Sequence, residues 1–457
     1  MKKPGLLPLV LFLVVSCRNH IPAGADSELG PKVDAYLQPF IDVNAFSGAV
    51  LMARAGQVLL AKGYGLANRE FNVPATSRTK FQIASLSKSF TAAAVLLLQE
   101  RGQLNVGDSL SRFLPDYPSA ERITLHHLLT NTSGVPNVND LPEYDQESRF
   151  PHTLAETIAL FKDEPLQFEP GAHYAYSNSN YNLLAAVIEK VSGQDYGDFL
   201  ERNIFAPLGM RDTAHRGRDA VIVSNLAPGY QPSGAWDIER APFLDWTIKT
   251  GNGSLYSTAE DLYKWHRALR AGGFLSPDSL AQMFKDQVDG TGYGWFVGER
   301  SGRKVLRYSG RSPGYTASFE RYPDEDACII ILSNNYAPVP GIAAGGLRAI
   351  LFGEPYTIFA MDRKARADPT VLEAFEGRYR FGPDFYRENA EVMIRLNAGT
   401  LEIVWSPSYV SPLLPLSAST FLDRLFWATI LFQTDAAGGV SGFVWRDSDD
   451  YAATRLK

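Results

Sequence analysis

Apolar and polar positions along this chain change period several times, and each change marks an element. Residues 30–43 carry apolar side chains at helical spacing and predict an amphipathic helix. Residues 47–64 shift toward strand character. Gly48-Ala49-Val50-Leu51-Met52-Ala53, a turn at Gly56, and Val58-Leu59-Leu60-Ala61 predict a hairpin. The run Phe90-Thr91-Ala92-Ala93-Ala94-Val95-Leu96-Leu97-Leu98-Gln99 is apolar nearly all round, so the helix it predicts, opening near Ser85, should be buried. Residues 105–245 are rich in Pro, Asn and Gly between short helical stretches, the clearest being an apolar helix at 182–191. A helix at 257–271 opens on Ser257-Thr258-Ala259-Glu260, which reads as a capping box. Strand patterns follow at 292–297, 304–308 and 328–332, then a helix at 341–351. Strands at both ends with helices between them predict one antiparallel sheet whose first and last strands come from distant parts of the chain.

The pattern breaks at a charged stretch, residues 362–368. Beyond it come short β-like runs at 378–381, 392–396, 401–405 and 440–445, separated by turns such as Asn397-Ala398-Gly399. These predict a small antiparallel barrel or sandwich. The expected organisation is a larger α+β unit over 26–357, with a sheet flanked by helices and a mainly helical subdomain, and an all-β unit over 368–457.

Composition narrows the function classes. The chain has 457 residues and a formal net charge of −6, with no basic stripe, so nucleic acid is not an expected partner. Lys2 and Lys3 precede an apolar run at 6–15 that is too short to span a bilayer, which reads as a secretory signal over 1–17. Val14-Val15-Ser16 leads into Cys17 as a bacterial lipobox does. The expectation is a lipidated, envelope-bound protein, the alternative being a plain signal cleaved before Asp26. The second of the two cysteines, Cys328, lies in an apolar strand pattern and should be a buried, inert thiol. The seven histidines show no metal-ligand spacing, and His126 and His127 read as structural. No metal or cofactor is called for, and a monomer is expected.

The chemistry is concentrated at Ser85-Leu86-Ser87-Lys88. A helix brings residues three apart onto one face, so it sets an amine beside a hydroxyl. A serine hydroxyl needs a base to become a nucleophile, and a desolvated lysine can serve. The free N–H groups of a helix start suit a developing oxyanion.

Two further constellations follow in order: Tyr176-Ser177-Asn178, and Tyr308-Ser309-Gly310-Arg311 at the end of a strand pattern. With Ile123-Thr124-Leu125-His126-His127-Leu128-Leu129-Thr130-Asn131-Thr132-Ser133-Gly134, Pro207-Leu208-Gly209-Met210 and Tyr293-Gly294-Trp295, they resemble the serine β-lactamase and penicillin-binding protein superfamily over residues 35–352. Within it the chain is similar to the class C β-lactamase, D-alanyl-D-alanine carboxypeptidase and esterase branch. The resemblance implies a β-lactamase/transpeptidase-like fold. It makes Ser85 the acylated nucleophile, Lys88 its proton acceptor, and Tyr176 a second base whose pKa the lysine charge pulls down. Asn178 would hold Lys88 and orient the substrate's amide. The N–H groups of Ser85 and Arg311 would bind the oxyanion.

The third element departs from the pattern, where lysine or histidine usually stands in place of Tyr308. A tyrosine brings no charge to attract a substrate carboxylate, and Arg311 next to it is a candidate replacement. No glutamate matches the class A deacylation motif, which leaves Tyr176 to activate water. The leading expectation is an exported serine hydrolase acting on a D-Ala peptide, a β-lactam or an ester. The alternative is a non-catalytic lipoprotein that binds wall peptide on the same fold.

Overall fold

The computed structural model describes residues 28–234, 236–358, 369–406, 409–447 and 449–456. The expected leader with Cys17 and the break at 362–368 lie outside those residues. Helix α1 (Leu29–Asp42) leads into the hairpin β1 (Gly48–Arg54) and β2 (Gln57–Tyr64). The principal helices α2 (Ser87–Glu100), α3 (Asn178–Ser192) and α4 (Ala259–Ala271) come next. Strands β3 (Phe296–Arg300), β4 (Arg303–Ser312), β5 (Tyr315–Tyr322) and β6 (Ala327–Ser333) and helix α5 (Val339–Phe352) complete the larger unit.

Among the described residues these six strands form one sheet in the order β3-β4-β5-β6-β1-β2, with every neighbour antiparallel. Strand β1 pairs with β6 from Gly48↔Ser333 to Arg54↔Ala327, so the first and last strands do meet. The continuous apolar run of β6 reflects burial on both faces. Residues 292–295 precede β3 rather than belonging to it. Strand β5 has no apolar alternation in sequence, because Thr316, Ser318, Glu320 and Arg321 are all buried among neighbouring strands.

One core fills the space between the sheet and the helical part; the other lies between the opposite face of the sheet and α1 with α5. Helix α2 sits inside the first. Phe90 stacks on Trp265 of α4 with ring centroids 4.6 Å apart, an arrangement that adds to the area both rings bury. Helix α4 is capped by Thr258, whose hydroxyl accepts from the Asp261 N–H at 3.1 Å. Ser257, expected as part of the cap, ends a short strand and bonds Thr213 instead.

Past residue 368, eight strands from Gly377–Phe381 to Asp450–Arg455 close into a barrel, the first pairing with the last. Its interior is aromatic, with Tyr379, Phe381, Phe432, Phe443 and Trp445 buried. Arg424 of the barrel is fully buried and donates to the carbonyls of Ser233 at 3.1 Å, Gly234 at 2.9 Å, Asp237 at 2.9 Å and Val43 at 3.1 Å. No described helix is long and apolar enough to cross a membrane.

Candidate active site

The first turn of the nucleophile segment is tighter than α-helix. Ala84–Leu86 form a 3₁₀ turn that runs directly into α2. Ala84 sits at φ +45°, in the left-handed region that an alanine rarely occupies, so the turn before Ser85 is strained. That turn lifts Ser85 to the tip while Lys88, one turn on, is fully buried.

Lys88 and Ser85 meet, with Nζ 3.1 Å from Oγ. Two further acceptors hold the amine: Asn178 Oδ1 at 2.8 Å and the Asn252 carbonyl oxygen at 2.7 Å. The rings of Tyr176 and Tyr181 flank it, with centroids 5.0 and 5.4 Å from Nζ. Burial pushes the Lys88 pKa well below the usual lysine range, and the nearby cation Lys249 pushes it further the same way. A neutral amine has two N–H donors and one lone pair. When Lys88 is unprotonated, the two carbonyl-type acceptors take the donors, which turns the lone pair toward Ser85 Oγ.

Tyr176 reaches the nucleophile from the other side, with Oη 2.9 Å from Ser85 Oγ and a weaker bond, 3.3 Å, donated to Asn178 Oδ1. Its pKa runs opposite to expectation. Burial raises it, opposed by hydrogen bonds with Ser85 and Tyr308, and the burial that disfavours the charged form of Lys88 weakens the pull expected from that charge. The Tyr176 side chain is still 37% exposed, so solvent moderates the rise. The group is a neutral phenol, suited to donating a proton before accepting one.

Asn178 opens α3, and its amide is committed. Nδ2 donates to Asn139 Oδ1 at 2.7 Å and to Asn137 Oδ1 at 3.3 Å. The expected hold on Lys88 is present; a free carboxamide for the substrate is not. Asn131 belongs to the same web, accepting from the Ser177 N–H and from Asn180.

Strand β4 brings up the third element. Gly310 lies against the nucleophile turn, and a Cβ there would meet the Ile83 carbonyl oxygen at 2.1 Å and Ala84 Cβ at 3.2 Å. Only glycine permits that approach. Pro313-Gly314 is a two-residue turn closing on the pair Ser312↔Tyr315. Hydrogen-bonded pairs alternate from there, so Gly310 and Tyr308 bond across to β5. The N–H groups of Ser309 and Arg311 face the opposite edge of β4, toward the tip of α2. The Arg311 N–H is therefore left out of the β4–β5 ladder.

Tyr308 is buried, stacked on Phe296 at 5.2 Å with its phenol against Tyr176, and burial lifts its pKa well above the tyrosine range. Ser309 is exposed. Arg311 corrects an expectation, because its side chain leaves the cleft. It donates to the carbonyl of Leu425 in the barrel at 2.5 Å and to that of Tyr336 at 3.3 Å, and lies over the Tyr336 ring at 4.2 Å. It does not supply the charge that Tyr308 lacks.

Sequence reasoning missed Asn137, Asn139, Asn252 and Lys249. Asn252 acts through its main chain, which no side-chain pattern reveals. His126 bonds Tyr293 at 2.7 Å, a structural role as expected, and Tyr293 and Trp295 are core aromatics. Cys328 is a free, buried thiol whose pKa burial raises to about 12. Among the described residues no group of three or more His, Cys, Asp or Glu side chains could hold a metal ion.

The profile of the family named Beta-lactamase matches residues 33–351. The chain belongs to that family. It is similar to "Penicillin-binding protein 4*" of Bacillus subtilis (strain 168), 29% identical over 443 residues that span 90% of this chain and 95% of that one. A structure of the octameric penicillin-binding protein homologue from Pyrococcus abyssi superposes with a TM-score of 0.64 at 23% identity, covering 93% of this chain and 100% of that one, the barrel region included. A D-amino acid amidase from Ochrobactrum anthropi SV3 aligns with a TM-score of 0.66 at 23% identity, over 72% of this chain and 99% of that one. The chain is thus a serine hydrolase of the β-lactamase/penicillin-binding protein type, and the non-catalytic alternative is set aside.

Proposed function

We propose that this protein hydrolyses an amide or ester bond through an acyl-enzyme on Ser85, with a cell-wall D-Ala peptide, a β-lactam or an ester as acyl donor. One observation carries the reading: Ser85 Oγ lies between Lys88 Nζ at 3.1 Å and Tyr176 Oη at 2.9 Å. Lys88 takes the Ser85 proton as Oγ bonds to the carbonyl carbon. The oxygen of that carbonyl gains the charge and is met by the N–H groups of Ser85 and Arg311. Tyr176 gives its proton to the leaving nitrogen or oxygen as the scissile bond breaks, which leaves a phenolate while Lys88 keeps the Ser85 proton. In deacylation Tyr176 takes a proton from a water as that water bonds to the acyl carbon, and Lys88 returns its proton to Ser85 Oγ as the ester bond breaks. The substrate class draws on the similarity to a penicillin-binding protein.

Intact-protein mass spectrometry after incubation with benzylpenicillin and with an activated aryl ester tests the chemistry. The expected result is one added acyl mass located on Ser85 and absent from Ser85→Ala; no adduct with any acyl donor would overturn it. Export as a lipoprotein is part of the same proposal, supported by the sequence of residues 1–17. Fatty-acid labelling that is lost in Cys17→Ser is its test.

A further inference from the structure

Lys249 is a buried lysine with no counter-ion among the described residues. It ends a short 3₁₀ helix, Trp246–Lys249, just before the loop whose Asn252 carbonyl holds Lys88. The residue is only 7% exposed. Among the described residues no carboxylate pairs with it and no carbonyl accepts from it. The group nearest its ammonium in kind is an aromatic face, with Nζ 5.5 Å from the centre of the Tyr144 ring. Tyr144 is itself buried, and its hydroxyl has no partner. An ammonium removed from water is costly unless something compensates it, and a single ring does so weakly.

Its position is as informative as its isolation. The Lys249 Cδ lies 3.5 Å from where a Cβ on Gly253 would stand, and the main chain of Ala84 lies at the same 3.5 Å from that point. The lysine stem thus runs beside the nucleophile turn, and its charge acts on Lys88. Although the side chain is buried, its nitrogen is not among the fully enclosed polar atoms that lack a partner. The third element brings no cation to the cleft, since Tyr308 is neutral and Arg311 is turned into the barrel.

We propose that Lys249 is the recognition group for a carboxylate on the substrate, and that this subsite supplies the charge complementarity that the third element has lost. The proposal rests on the acyl-transfer reading for its substrate but not for its binding measurement. A carboxylate entering the cleft would pair with Lys249 and relieve the cost of burying it uncompensated. It would also cancel part of the field acting on Lys88.

The test has a kinetic and a binding arm. Aryl esters that differ only in bearing a carboxylate or a carboxamide, placed on the acyl group in one pair and on the leaving group in the other, are compared in wild type, Lys249→Met and Lys249→Arg. The expected result is a carboxylate preference in kcat/KM for one of the pairs, reduced at least about tenfold in Lys249→Met and restored in Lys249→Arg. The pair that shows it tells which half of the substrate carries the charge. In the binding arm, N-acetyl-D-alanine and its amide are titrated into Ser85→Ala with and without Lys249→Met. The acid should bind more tightly, and the difference should vanish without Lys249. An unchanged carboxylate preference in both ester pairs and in the titration overturns the proposal. Lys249-dependent binding without hydrolysis of any ester would sustain the anion subsite and refute the acyl-transfer reading. Lys249→Gln provides a second neutral variant should Lys249→Met fail to fold.

Discussion

Lys88 Nζ lies 2.7 Å from the carbonyl oxygen of Asn252, a main-chain atom in a loop more than 160 residues further along the chain. With Asn178 Oδ1 at 2.8 Å, that carbonyl occupies both N–H donors of a neutral amine and fixes where its lone pair points. Orientation of the base is therefore shared between a side chain and a backbone atom. Lys88→Met should reduce acylation by at least about a thousandfold, since it removes the base itself. Asn178→Ala should cost about ten- to a hundredfold in kcat with a smaller effect on KM, because the amine keeps one of its two guides. Pre-steady-state acylation with a chromogenic ester measures both.

The pH dependence follows from the depressed Lys88 pKa. The base works only when unprotonated, so kcat/KM should rise with pH through the Lys88 pKa and hold on its alkaline side. The groups facing Lys88 are Ser85, Tyr176, Tyr181, Asn178, the Asn252 carbonyl and the cation Lys249. Lys249 disfavours a second positive charge, so removing it lets the Lys88 pKa climb back toward the ordinary lysine value. The acid limb should then move to higher pH in Lys249→Met and stay in place in Lys249→Arg. A pH–rate profile on a neutral ester reads this apart from any loss of substrate binding.

Gly310→Ala tests the oxyanion geometry. A methyl group there would lie 2.1 Å from the Ile83 carbonyl oxygen, and that atom is backbone, so the strand must move away from the nucleophile turn. Displacing the Arg311 N–H should cost about a hundredfold or more in kcat, as loss of one oxyanion donor does. KM should change less, and circular dichroism should show the fold retained.

The sequence made some of this legible, and physics explains the rest. Ser85, Lys88, Tyr176 and Asn178 could be read because side-chain chemistry at fixed spacing leaves a mark in the chain. Asn252 could not, because any residue has a carbonyl. The Tyr176 shift runs against the sequence expectation for a related reason: that expectation takes Lys88 as charged, and the burial that disfavours the charge leaves no mark in the sequence. Strand β5 was hidden because its polar residues are satisfied by neighbours distant in sequence. The β1–β6 pairing was expected because the strongest apolar strand patterns flank the helices. Arg311 was placed beside the cleft by sequence proximity, yet successive residues of a strand point to opposite faces. Its side chain therefore reaches the barrel and the Tyr336 carbonyl rather than the cleft.

Barrel stability should carry its own pH signature through Asp423. This carboxyl is fully buried, and burial raises its pKa to about 6 from an ordinary value of 3.8, even though Ser411 and the N–H groups of Leu425 and Phe426 hydrogen-bond to it. A raised carboxyl pKa means that the folded state binds the proton more tightly than the unfolded chain. The stabilisation is then complete below about pH 3.8 and lost as pH rises through about 6, a change of at most about 3 kcal/mol by linkage. Urea unfolding monitored by barrel tryptophan fluorescence should show a midpoint that falls between pH 4 and 7 in wild type. The pH-dependent part should shrink in Asp423→Asn, the other carboxylates being common to both proteins.

Arg424 joins that barrel to the larger unit, and its four carbonyl acceptors come from Val43 and from residues 233–237. Replacing it by methionine keeps much of the stem but leaves those carbonyls without their donor. Buried acceptors stripped of a charged donor cost about 1–3 kcal/mol each before water reaches them. The interface should therefore loosen well before either unit unfolds. The carbonyl of Leu425, the next residue, accepts from Arg311, so loosening also frees the side chain of the residue whose N–H is proposed to bind the oxyanion. Arg424→Met should show faster proteolysis between the two units together with a several-fold drop in kcat. Increased cleavage with unchanged kcat would mean that the barrel is held to the enzyme without steadying its oxyanion strand.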